Sequence, residues 1–179
     1  MRMRRPLVCL GVALLLITAA AAQHKHDPLT AAEIDQLRDT AMEPEMRLKL
    51  YVKFARARLT ALEQMRSDPK TTDRARQTHD CLEDFLAVYD ELNDNIDTYV
   101  DRKEDVRKPL KAVIEADTEF QAKLRALKGA ANSSPAEAKE YQFVLSNAIE
   151  TLDNSADDHR KLMAEQEEAA KHKKKAKNQ

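Results

Sequence analysis

Glycine is nearly missing from this chain, with two in 179 residues. Gly11 lies in an apolar N-terminal stretch that reads as a discarded segment, which leaves Gly129 alone in the remainder. One glycine cannot build a phosphate-binding loop, a dinucleotide-binding turn or a nucleophile elbow, because each needs backbone geometry that glycine supplies. Tryptophan is absent, and cysteine occurs only as Cys9 and Cys81. Without a C-x-x-C or C-x-x-C-H motif there is no redox pair and no covalent haem attachment. H-E-x-x-H is absent as well. The Glu-x-x-His pairs of di-iron bundles are missing, since Arg76 and Ala156 stand three residues before His79 and His159. The acidic stretch "DELNDNIDTYVD" lacks the glycine that a calcium loop turns on. Asp90, Glu91, Asp94, Asp97 and Asp101 therefore read as a solvated acidic face. No enzymatic signature is left, and no catalytic residue or cofactor is expected.

What is present begins with Arg2, Arg4 and Arg5, the apolar run Leu7–Ile17 and a small-residue exit through four alanines. A charged start, a short apolar core and small residues at the end describe a secretory signal peptide over residues 1–22. Leu7–Ala22 gives 16 residues, against the roughly 20 that cross a membrane. The chain is expected to be exported, either periplasmic or secreted, with no transmembrane segment after cleavage. Cleavage after Ala22 exposes Gln23. Cleavage after Ala21 instead places His24 third, where an amine, two backbone amides and the imidazole would wrap copper(II) or nickel(II) in a square plane.

Loss of the signal leaves 27 Lys+Arg against 31 Asp+Glu. Five of the lysines crowd the end "KHKKKAKNQ": Lys171, Lys173, Lys174, Lys175 and Lys177. An acidic body with a basic tail argues against nucleic acid as partner, since a nucleic-acid-binding domain carries basic surface on its fold. The tail suits contact with a polyanion such as an anionic envelope surface, or simple solvation with loose folding back onto the acidic body.

The rest reads as helix, rich in Ala, Leu, Glu, Lys, Arg and Gln. "TAAE" (Thr30–Glu33) is a capping box opening a helix to about Thr40. Pro44 opens a second helix, to about Ser67, at a first helical position where its missing N–H costs nothing. From Leu82 to Leu127 a seam runs in 3,4 spacing: Leu82, Phe85, Tyr89, Leu92, Ile96, Tyr99, Lys103, Val106, Leu110, Val113, Asp117, Phe120, Leu124 and Leu127. Only Lys103 and Asp117 interrupt its apolar character. The seam passes straight through Pro109, so a sharp kink or a tight break is expected there, in preference to a reversal. About 58 straight helical residues would reach about 87 Å. Gly129 is expected as a left-handed cap and "SPAE" (Ser134–Glu137) as a second capping box. The apolar face of the last helix fades after Leu152, and the helix is expected to fray near Ala170.

The fold expected is all-α: one elongated antiparallel helical bundle, coiled-coil-like, of four to five helices over residues 30–170. A flexible leader (23–29) precedes it and a disordered Lys-rich tail (171–179) follows. The seam would be covered within the chain or would pair two protomers as a homodimer. Cys81, beside the seam, reads as a small apolar filler or as an intermolecular disulfide. His79 and Glu83 are one turn apart and would form half a metal site, with His159 on another helix as its complement; the plainer reading is a surface ion pair. The aromatic residues lie mostly on apolar stripes and read as core.

"LTAAE" (Leu29–Glu33) and "LTALE" (Leu59–Glu63) repeat Leu-Thr-x-x-Glu. This spacing resembles the paired Leu-Thr-x-x-Gln motifs of small helical periplasmic chaperones and envelope-stress sensors, with Glu in place of Gln in both copies. The function expected is that of an exported, non-enzymatic protein that binds macromolecules, with protein partners, in a chaperone-like, scaffold or envelope-associated role. The alternative is a periplasmic metal-handling protein using His24, His26, His79 or His159.

Overall fold

The computed structural model describes residues 27–177 of the chain, so the signal segment, His24 and His26 lie outside the described residues. Six helices and no strand occur among them: α1 Ala31–Asp39, α2 Pro44–Ser67, α3 Arg74–Asp101, α4 Arg107–Ser133, α5 Pro135–Ala138 and α6 Gln142–Lys177. The extra helix over the expected count is α5, a single turn. No helix among the described residues is long and apolar enough to cross a membrane.

The starts of α1 and α2 follow local chemistry. Thr30 accepts from the Glu33 amide, Glu33 reaches back to the Thr30 amide, and both bonds of the capping box form. Pro44 is the first residue of α2. Arg58 on α2 then grips the N-terminal side of α1, donating to both Glu33 oxygens and to the Pro28 carbonyl. Leu37 is the buried residue of α1.

Four long helices enclose one hydrophobic core. α2 packs on α3 and α4, and α6 packs on the same two. Polar contacts give the directions. Arg47 near the start of α2 meets Asn95 near the end of α3, and Arg66 meets Thr78, so these two are antiparallel. Arg56–Glu119 and Glu63–Lys123 advance together, so α2 and α4 are parallel neighbours. Asn93–Ser155 and the Gln166 bonds to Glu104 and Val106 make α3 and α6 parallel. α3 and α4 face each other across the core, with Phe85 edge-on to Phe120 at 5.5 Å.

That placement overturns the expected kink at Pro109. The chain reverses over residues 102–106 and Pro109 sits harmlessly in the first turn of α4. Both halves of the seam stay in phase because both line one core. All twelve of its apolar or aromatic members are buried within the protomer, so none is left for a second copy. Lys103, one of the two exceptions, is the turn itself at φ 60°. Its amide donates to the Val100 carbonyl and the Glu104 amide to the Tyr99 carbonyl, a complete Schellman cap with lysine where glycine is usual.

Four further expectations fail at α4 to α6. Gly129 is helical, not left-handed, and α4 continues to Ser133. Ser134 makes no side-chain cap, and Glu137 bonds to Arg66 instead. The last helix does not fray near Ala170 but continues through the lysines to Lys177. Its apolar face also outlasts Leu152, since Ala156 and His159 are buried and Leu162 and Met163 pack on the core.

Candidate functional site

The polar centre of the core joins α3, α4 and α6. Asp117 occupies a seam position at 1% exposure and His159 continues the apolar stripe of α6 at 4%. The Tyr89 hydroxyl donates to Asp117 Oδ1 at 2.7 Å. His159 Nδ1 lies 2.9 Å from Asp117 Oδ2; a carboxylate only accepts, so the imidazole proton sits on Nδ1. Burial, and then the neighbouring Asp117 charge, push the Tyr89 hydroxyl far up, so it remains a donor. Beside them, Asn93 on α3 donates to Ser155 on α6 at 3.0 Å. The order of groups is that of a proton relay, and all three side chains are buried in the core. The network ties α3, α4 and α6 together at one level of the core.

This arrangement corrects the expected His79–His159 partnership. His159 is held inside by Asp117, while Asn93 on α3 stands level with Ser155 on α6. His79 therefore lies at least 14 residues, about 21 Å, along α3 from that level. His79 instead gathers neighbours from its own helix. Its Nδ1 is 3.4 Å from Asp80 Oδ1 and 3.8 Å from Glu83 Oε2. One donor atom from each of the three lies within 4.8 Å of the others. The spacing that flagged His79 and Glu83 was legible in the sequence; Asp80 was missed because adjacent residues on a helix ordinarily diverge.

Cys81 is half-buried and packs on the core. Burial, then Asp84 and Asp80, raise its thiol, so the nucleophilic thiolate is disfavoured. Phe143 departs from the expectation that aromatics lie in the core, at 87% exposure. Met42 and Met46, the other exposed large apolar side chains among the described residues, stand before and within α2 at the opposite end of the body. The expected acidic face on α3 is exposed throughout.

That same opposite end carries a basic surface. Gln166 ties α6 to the α3–α4 turn, accepting from the Val106 amide and donating to the Glu104 carbonyl. Beyond it no hydrogen bond joins α6 to another element among the described residues. Lys171, Lys173, Lys174 and Lys175 are exposed on this overhang. Lys173, Lys103 and Arg107 line one cleft at the turn, and Arg107, Lys108 and Lys111 line a second. Asp105 between them is held down to about 2 by its hydrogen bond to Arg107, so this end mixes fixed charges with a lysine excess on α6. Compared with known protein families, curated proteins and solved structures, the chain matches none.

Proposed function

We propose that the protein is an exported, non-enzymatic antiparallel helical bundle, coiled-coil-like in its core, that binds macromolecules as an envelope-associated module. The observation that carries this reading is the overhang of α6. Four exposed lysines stand on a helix that outruns its partners, next to a turn bearing Lys103, Arg107, Lys108 and Lys111. Lysines in that setting gain about 1 kcal/mol each near an anionic surface. A chaperone-like role draws less support, because Met42 and Met46 are a body length away from Phe143 and form no joint surface for an unfolded client.

The test is co-sedimentation of the chain from Gln23 onward with phosphatidylglycerol or phosphatidylcholine vesicles. Binding is expected on the anionic vesicles only and should fall steeply between about 0.05 and 0.5 M salt, as the screening length shortens from roughly 14 to 4 Å. A chain ending at Ala170 should bind at least 100-fold more weakly, since about 1.4 kcal/mol is tenfold in affinity. Equal binding to both vesicle types, or none to either, overturns the reading.

A further inference from the structure

The His79 cluster carries an inference independent of the basic end. Its donor-to-donor spacings, 3.4 and 3.8 Å, are longer than a hydrogen bond of roughly 2.7–3.2 Å. They approach the edges of a coordination shell, since ligands about 2.1 Å from an ion at tetrahedral or right angles lie roughly 3.0–3.4 Å apart. Some acidic residues on this surface are taken by cations, as Glu45 is by Lys49 and Lys108, Glu119 by Arg56 and Asp153 by Arg125. Asp80 and Glu83 pair with no lysine or arginine among the described residues; both converge on the imidazole. The His79 side chain keeps 35% of its surface open, and the two carboxylates keep 61% and 64%. An ion can reach all three from solvent without opening the core.

We propose that His79, Asp80 and Glu83 bind a divalent zinc ion through one imidazole nitrogen and two carboxylate oxygens, with water filling the remaining positions. The donor set selects the ion class. An imidazole nitrogen suits zinc, copper or nickel, whereas magnesium and calcium favour shells of oxygen alone. Two carboxylates offset the ion's charge, and the absence of a thiolate ligand removes the preference for copper(I). Cys81 does not join, since its raised thiol packs on the core. Three ligands from one helix segment leave an open, exchangeable site, suited to carrying or buffering an ion. Ligation requires deprotonated donors, so binding competes with protons and weakens in acid.

The test is calorimetric titration of zinc chloride into the full exported chain carrying His24→Ala and His26→Ala, which removes the N-terminal histidines as competitors. One site of micromolar affinity is expected at pH 7.5. Adding His79→Ala should weaken it at least tenfold, and Glu83→Gln should weaken it comparably. The metal-free melting temperature should move little in either, since Glu83 is exposed and His79 is only half-buried. Absence of binding below 100 µM zinc overturns the proposal, and so does an affinity that neither substitution moves.

Discussion

A carboxylate at 1% exposure is tolerable only when its oxygens are met, and both Asp117 oxygens are, one by Tyr89 and one by His159. Removing one member strands the others. Asp117→Ala should destabilise the fold by about 3–5 kcal/mol, because it leaves a buried imidazole and a buried hydroxyl without an acceptor. Tyr89→Phe deletes one donor, keeps the ring against Phe85 and Phe120, and should cost only about 1–2 kcal/mol. His159→Leu together with Asp117→Leu removes the polar pair as a unit, and should recover much of the single-site loss. Urea unfolding followed by circular dichroism measures all three; an Asp117→Ala cost below that of Tyr89→Phe would contradict the network. Asp117 was visible in the sequence as a polar residue in phase with an apolar seam. His159 was not: its polarity ended the apolar stripe on paper, and only the facing Asp117 explains why the stripe continues through it.

At the scale of elements, Gly129 and Lys103, one of two left-handed residues besides glycine among the described residues, stand in each other's usual places. Gly129 lies within α4, where an added Cβ would meet nothing within 4 Å. Lys103 occupies the left-handed position of the α3 cap, where glycine is ordinarily found. Gly129→Ala should therefore stabilise by about 0.5–1 kcal/mol through helix propensity. Lys103→Gly should stabilise by up to about 1 kcal/mol by removing Cβ strain, offset in part by added freedom in the unfolded chain. Thermal melts of the two variants and the double variant check this, and additive gains are expected because the sites lie at opposite ends of α4. A loss of stability in Gly129→Ala would mean that the glycine does something other than interrupt a helix. The same exchange explains the limits of reading the elements from sequence. Periodicity located α2, α3 and α4 and their buried faces, because a 3,4 pattern reports which side of a helix meets the core. It is silent on direction. A seam in phase on both sides of Lys103 fits a straight helix and a reversal equally well, and the usual marker of reversal, a glycine, was absent.

At the scale of the molecule, the reversal decides what folds with what. Core contacts join distant halves: Phe85 and Tyr89 on α3 meet Phe120 on α4, and α2 lies parallel to α4 as α3 does to α6. Neither α1–α3 nor α4–α6 closes a core alone. Splitting the chain between Lys103 and Glu104 would expose Leu82, Phe85, Tyr89 and Leu92 on one fragment and Leu110, Val113, Phe120 and Leu124 on the other, all now at 0–1% exposure. A buried side chain of this kind is worth about 1.5–3 kcal/mol, so the four on each fragment forfeit about 6–12 kcal/mol, comparable to the roughly 5–15 kcal/mol that holds a typical domain together. Each fragment alone should show low helicity and no cooperative melt. Mixed at equal concentration, they should form a one-to-one complex with restored helicity and a single transition, because the covalent link contributes no contact that the core lacks. Sedimentation and far-ultraviolet circular dichroism of the separate and mixed fragments read both states. A fragment that folds alone as a monomer would show that the two halves are separate units, and that the aromatic contact between α3 and α4 joins them without being needed to fold either one.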